Sequence, residues 1–548
     1  MKVIAAITAD FERTFLGLPS RLNAELRGES VIRRTIKRLQ RARQPASVHL
    51  LVDVGQEATA RAAVAGLEVT VETHHAGEPP WRQYVASGRK WSLDSWRGGL
   101  AGTTVYDEFV HPWLLEALAR RERADAVVDV PAAAPLLDPG LLDAMVQHYA
   151  KVHEDTRLGL AQTAPGLSGI VYRTEMLSSL TAGCLPPGRT MAYQPDSPQQ
   201  DVLVQSCTCA TEAAISHAWG RCIADTSTAM RRLELMLDEV RTANGGGTPD
   251  ALAISRWLLA NRHAPLHALP DETEVEITTE DPLPFSSLRP RGPALGRGGE
   301  MDFDTFKRIV DELAVCDDRL LVLGGFGDPL LHPQWPEFIR YAREAGILGI
   351  AVRTTAVNLD DAAIDAFLAV GVDVLCVLLD AATAATYRRV HQVDAFDRVV
   401  ANVNRFCEIQ NQRPCPRPLV VCELTKTHDT MDEMEAFYDH WTRKTGSVVI
   451  AGPSRYAGAW PDRAVLNMAP PTRSACSRLN HRAMILADGR MTLCDQDFRG
   501  EHAASSLRQA SLAQLWNGDP MTRARRLHAE GRYETVDLCR ACDEWHRP

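Results

Sequence analysis

Short aliphatic segments separated by amphipathic stretches recur twice along this chain, and that alternation constrains the fold more than any other feature of the sequence. In the first series Val3 to Thr8, Val48 to Asp53, Leu67 to Thr73 and Ala126 to Val130 read as strands, with helical periodicity over Ser30 to Arg43 and Pro139 to Val152. Strands joined through helices predict a parallel, Rossmann-like sheet with both faces covered. From about Thr228 to Ala264 the pattern turns helical, interrupted at Asn244-Gly245-Gly246-Gly247, which predicts a turn or hinge and a first domain boundary near it. A second series follows: Glu274 to Thr279, Leu320 to Leu323, Ile350 to Arg353, Val374 to Leu379 and Val420 to Leu424. Successive units of this length predict a complete or partial (β/α) barrel.

Charge narrows the function classes. A net charge of −10 over 548 residues leaves no concentrated basic face for DNA or RNA, and nothing in the sequence asks for a membrane. No apolar run approaches the roughly 20 residues of a membrane span. The stretch from Met1 to Phe15 is broken by Asp10 and Glu12, so it reads as a first strand rather than a signal peptide. The expected location is the cytoplasm, where thiols stay reduced and available to metals.

Thirteen cysteines are too sparse for a disulfide scaffold, and four of them fall in the last 73 residues. Cys476, Cys494, Cys539 and Cys542 are separated by 18, 45 and 3 positions. Between the first two, Ala483 to Leu493 reads as a hairpin turning at Asp488-Gly489, and Cys539-Arg-Ala-Cys542 is a knuckle whose sulfurs can face one ion or cluster. Four thiolates serve either a structural zinc or a [4Fe-4S] cluster, and spacing alone leaves both open. With Leu479 to Asp497 and a helix around Trp516, this region resembles a SPASM domain, the small module that carries auxiliary iron-sulfur clusters behind a radical SAM barrel. The resemblance implies one auxiliary [4Fe-4S] cluster on these four cysteines.

Upstream, Leu323-Gly-Gly-Phe-Gly-Asp-Pro329 looks like the Gly-Gly-Glu-Pro segment of radical SAM enzymes, with Asp328 where that family more often has Glu. Thr354 to Leu359 and Val374 to Tyr387, with Asp380 at a strand terminus, resemble the segments that follow. The resemblance implies that Gly325, Gly327 and Asp328 belong to an S-adenosylmethionine pocket. That family also depends on a CxxxCxxC loop after the first strand, whose three thiolates hold the catalytic cluster. Here the three positions fall on Asp281, Phe285 and Leu288, and no other such spacing occurs. Phenylalanine and leucine offer iron no donor atom, and one hard carboxylate cannot hold a cluster that prefers thiolates. Cys316, Cys376, Cys407, Cys415 and Cys422 read as core residues.

The opening domain is similar to nucleotidyltransferases with a GT-A-like sheet, on Ser20 to Ile32 and Val128 to Pro139. Both matches are degraded: Asp10 to Pro19 replaces a glycine-rich phosphate loop, and Ala133 stands at the expected metal aspartate, with Asp129 nearby. Trp96 to Glu108 carries glycines, paired threonines and two adjacent carboxylates suited to an anion- or sugar-binding loop or to a plain surface turn. Cys184, Cys207, Cys209 and Cys222 are too irregularly spaced to predict a second metal site.

The order of parts resembles the spiro-SPASM proteins: an α/β chain with a nucleotidyltransferase-like domain over 1–230, a helical connector over 231–270, a radical SAM-like partial barrel of TIM type over 271–470, and a SPASM module over 471–548. The expected function is an iron-sulfur protein without competent radical initiation, no catalytic residue being assigned. Its barrel would bind a nucleotide-like or peptide ligand, with S-adenosylmethionine as a cofactor to test. The alternatives are an active radical enzyme acting on a sugar nucleotide or peptide, and a scaffold partnered with an electron donor or an intact paralogue.

Overall fold

The computed structural model describes residues 1–548 apart from 244–247, 263, 265, 414–416, 467, 504 and 548. The expected glycine hinge and Cys415 therefore lie outside the described residues. The chain divides into two compact units, Met1–Arg262 and His263–Pro548.

In the first unit, seven strands form one sheet: β1 (Val3–Ala9), β2 (Val48–Asp53), β3 (Thr70–His74), β4 (Ala126–Asp129), β5 (Leu158–Ala161), β6 (Ile170–Arg173) and β7 (Thr208–Cys209), in the order β3-β2-β1-β4-β6-β5-β7. The first four are mutually parallel, while β6 runs antiparallel to β4 and β5. Val3, Ala5 and Ile7 pack into one apolar cluster and Ile4 and Ala6 into another on the opposite face. This is why β1 reads as a continuous aliphatic run with no polar alternation.

The helices Ser227–Ala243 and Ala251–Asn261 occupy most of the stretch expected as a helical connector over 231–270. Leu233, Met236, Ile254 and Leu258 are buried in the same cluster as β1. Arg38 donates from Nη2 to the Pro249 carbonyl at 2.9 Å, and Asp138 accepts from the Ala251 amide. Burial of each aliphatic side chain contributes about 2 kcal/mol, which holds these helices to the first unit up to its end.

The second unit holds β8 (Glu272–Val275), β9 (Leu320–Leu323), β10 (Gly349–Thr354), β11 (Val374–Leu378), β12 (Leu419–Thr425) and β13 (Val448–Ala451), all parallel and adjacent in chain order. This is an open, partial barrel. Val275, Leu321, Leu323, Val352, Leu375, Val377 and Leu424 join the apolar cluster under the helices, while the alternating Glu274, Arg353, Cys376 and Glu423 fall on the inner face. The strand expected over Glu274 to Thr279 ends at Val275, and just beyond it Glu276 donates its amide to Ile485 (2.9 Å).

The expected border at 470/471 is not a break in the sheet. The C-terminal hairpin, β14 (Arg482–Ile485) and β15 (Arg490–Thr492), followed by β16 (Ser505–Ser506), adds to the barrel edge, with β14 parallel to β8. Leu479, Ile485, Met491, Leu512 and Trp516 share one core with the barrel helices. Among the described residues no helix is long and apolar enough to cross a membrane.

Candidate functional site

The loop that leaves β8 crosses the carboxyl ends of the barrel strands, where ligands of such sheets bind. The three positions expected to correspond to the cysteine loop have different surroundings. Asp281 is buried in an ion pair with Arg291 and accepts from the Leu283 amide at 2.8 Å. Phe285 is 37% exposed, and Leu288 is packed inside.

Guanidinium groups occupy this end of the barrel. Arg289 donates from Nη2 to Asp380 at 2.8 Å and to Thr425 Oγ1 at 3.1 Å, and Arg297 grips both carboxylate oxygens of Glu276. Deeper in the lumen Arg353 lies 3.8 Å from Glu274 and 3.5 Å from Glu423. Burial would raise Asp380, but Arg289, His391 and the bonds from Thr425 outweigh it and hold the carboxyl below its usual range. For Glu274 burial wins over Arg353, and its carboxyl is raised. Cys376 stands 3.7 Å from Glu423, its thiol pushed up to about 12 by burial and by that carboxylate, so it is a protonated lining group. The arginines were missed as a set by the sequence reasoning. The dense Arg289, Arg291, Arg297 run directly after the empty cysteine positions was the signal available.

Gly325, Gly327 and Asp328 do come together at this mouth. Gly325, at φ +88°, donates its amide to Glu274 at 2.8 Å. A Cβ on Gly327 would sit 2.2 Å from the Thr278 carbonyl oxygen, so the loop approaches β8 only because that residue has no side chain. Asp328, 1% exposed, accepts from Thr354 Oγ1 (2.9 Å), the Thr355 amide (2.9 Å), Thr355 Oγ1 (2.5 Å) and the Leu330 amide (3.1 Å). Its carboxylate thus pins the glycine loop to the end of β10.

Of the four C-terminal cysteines, Cys539 is buried and Cys476, Cys494 and Cys542 are half-buried. Burial raises all four thiols, and three sense others of the set: Cys494 is raised by Cys539 and Cys542, Cys539 by Cys542 and Cys476, and Cys542 by Cys476. Cys539 is pushed up to about 12 and Cys542 to about 11. The sulfurs of Cys494 and Cys542 accept backbone amides two residues on, from Gln496 at 3.5 Å and Glu544 at 3.4 Å. Arg478 is placed to compensate thiolate charge on Cys476 and Cys494. Among the described residues no group of three or more His, Cys, Asp or Glu is placed to hold a single metal ion. Amide donors to sulfur are what stabilise and tune an iron-sulfur cluster, so the chemistry of this donor set fits one.

The first unit carries a cavity of about 390 Å³ at the carboxyl ends of β1, β2 and β3, lined by Asp10, Arg13, Arg21, His74, His111 and Arg221 among others. Ala133 lines it together with the carboxylates of Asp10 and Asp225, whereas Asp129 is wholly buried with neither oxygen hydrogen-bonded, and burial raises its carboxyl well above the ordinary value. Trp96 to Glu108 is internal rather than a surface loop. Asp107 accepts from the Gly188 amide at 2.7 Å, and Glu108 lies between Arg89 and Arg221 at 2.8 and 2.7 Å. Cys207 packs in one apolar cluster and Cys209 and Cys222 in the other, while Cys184 is exposed, so these four do not meet.

Comparison with known proteins fits this division. Residues 277–439 match the radical SAM superfamily, and residues 476–543 match SPASM, an iron-sulfur cluster-binding domain. An uncharacterized protein of Treponema pallidum is 26% identical over 308 residues, covering 53% of this chain and 82% of its own length. Among solved structures, Streptococcus suis SuiB bound to precursor peptide SuiA is 11% identical, covering 54% of this chain and 80% of that one, with a TM-score of 0.40. A cytidylyltransferase from Leptospira borgpetersenii is 13% identical, covering 48% and 95%, with a TM-score of 0.32.

Proposed function

We propose, for a chain that carries a radical SAM domain followed by a SPASM iron-sulfur domain, that it holds one auxiliary [4Fe-4S] cluster and binds S-adenosylmethionine in its barrel without cleaving it. The observation that carries this reading is the mouth loop. Where three thiolates would be needed, Asp281 is neutralised by Arg291, Leu288 is packed inside and Phe285 points to solvent. Arg289 and Arg291, paired with Asp380 and Asp281, leave a polar barrel end that offers iron no thiolate.

Cys476, Cys494, Cys539 and Cys542 would hold the cluster, which when bound supplies a covalent tie and one-electron chemistry. The protein's own contribution is the pair of amide donors to sulfur, from Gln496 and Glu544, and the guanidinium of Arg478 beside the thiolates. In the first unit, the cavity with Arg13, Arg21 and Arg82 on its lining suits a sugar- or nucleotide-like ligand. Asp129 is sealed inside and cannot reach a metal in this cavity, whose lining carboxylates are others, Asp10, Asp53 and Asp225 among them.

Anaerobic reconstitution with iron and sulfide tests the reading. About four irons and four sulfides per chain are expected, with the content lost in Cys539→Ala. S-adenosylmethionine should bind and remain intact under dithionite. Twice that iron content together with release of 5′-deoxyadenosine overturns the proposal.

A further inference from the structure

Each of the three chain segments that carry the C-terminal cysteines brings a charged residue with it. Arg478 follows Cys476 by two positions, Asp495 follows Cys494 by one, and Glu544 follows Cys542 by two. The fold sets these three charges against one another. Arg478 donates from Nη1 to both oxygens of Asp495, at 3.0 and 2.8 Å, and its Nη2 lies 3.7 Å from Glu544. The side chains of Arg478 and Glu544 are 11% and 5% exposed, so the group lies largely out of water. One guanidinium thus ties together three segments that lie far apart in the sequence.

This lock leaves one donor over. Arg478 Nε is buried and has no hydrogen-bond partner. A guanidinium N–H taken out of water without an acceptor is costly, so the site is incomplete on that side. Burial alone would lower the guanidinium, but Asp495, Glu544, Cys494 and Cys476 outweigh it and hold it above its ordinary value. Thiolates each bring a negative charge into a buried space, which requires a cation beside them and donors to sulfur. Reduction of a cluster adds one more negative charge. A fixed cation therefore favours the reduced form, and fixed carboxylates favour the oxidised one.

We propose that Arg478 is the positioning residue of the C-terminal site, holding the three cysteine segments together through Asp495 and Glu544 and setting the reduction potential there with its charge and its spare Nε–H. This rests on the reading of Cys476, Cys494, Cys539 and Cys542 as cluster ligands and names the side chain that governs the charge of that site.

The test is an optical redox titration of the full chain, reconstituted anaerobically with iron and sulfide, in which an electrode and mediator dyes supply one electron per cluster. Arg478→Gln deletes the charge and is expected to lower the ratio of reduced to oxidised form at a fixed electrode potential about tenfold, a shift of about 59 mV for a one-electron couple. Arg478→Lys keeps the charge, loses the planar fork and should stay within about threefold of wild type. Asp495→Asn removes a carboxylate beside the thiolates and should move the ratio the other way, about threefold to tenfold. Shifts of opposite sign support the proposal, because a loosened fold alone moves both variants in one direction. Wild-type potentials in Arg478→Gln and Asp495→Asn, or shifts of the same sign, overturn the role of Arg478 and leave the cluster reading standing. If Arg478→Gln holds no iron, retention of iron in Arg478→Lys supports the proposal, and loss of iron there too overturns it. Absence of iron from the wild-type chain ends both readings.

Discussion

Val275, the last residue of β8, is the parallel partner of Ile485 in the C-terminal hairpin. Through this pairing the cysteine-bearing tail continues the barrel sheet, and Glu276 extends the contact by donating its amide to Ile485 and accepting from the Ala487 amide. The cluster domain is therefore part of the barrel's edge.

A chain ending at residue 470 should not yield a folded barrel. It loses the partner of β8 and uncovers a parallel edge together with the apolar surface now under Leu479, Met491 and Trp516. The expected outcome is insoluble protein, or soluble aggregate by light scattering. A monodisperse truncated second unit would show the two parts to be independent.

Gly327→Ala tests whether the mouth loop is held by close backbone approach. The added methyl meets two backbone oxygens, Thr278 at 2.2 Å and Glu280 at 2.8 Å, neither of which can rotate away. A loss of about 3 kcal/mol in urea denaturation is expected. A change under about 0.5 kcal/mol would mean the loop is freer than drawn.

Arg221→Met should cost about 3 kcal/mol in the first unit, because Asp225, 4% exposed in its side chain, is left as a buried charge while Glu108 keeps Arg89. Adding Asp225→Asn should restore much of the loss. Thermal unfolding of the single and double variants checks both statements.

The Asp129 carboxyl is raised by burial in the folded chain, while the unfolded chain titrates near pH 4. The folded state therefore retains a proton that the unfolded state releases, and folding loses stability as pH rises above about 4 toward the folded pKa. Asp129→Asn removes this penalty. Its stability relative to wild type should improve with pH, by up to about 1.4 kcal/mol per unit, and the gap should be smallest below pH 4. Urea midpoints of both proteins at pH 4, 6 and 8 provide the measurement, and a pH-independent gap would contradict the assignment.

Much was legible from residue type alone. The βα alternation gave the parallel strands β1 to β4 and β8 to β13, because parallel strands must be joined through crossover helices, which are amphipathic. Cys476, Cys494, Cys539 and Cys542 announced a thiolate site, and the absence of cysteine at Asp281, Phe285 and Leu288 needed no coordinates, since donor atoms are a property of the side chain. The tertiary structure alone decided three things. It closed Asp281 onto Arg291, and it turned Asp328 toward Thr354 and Thr355. It also joined Ile485 to Val275. Each pairing depends on which side chains the fold carries into the same low-dielectric space, where an unpaired charge or strand edge is costly, and no local pattern in the chain records that meeting.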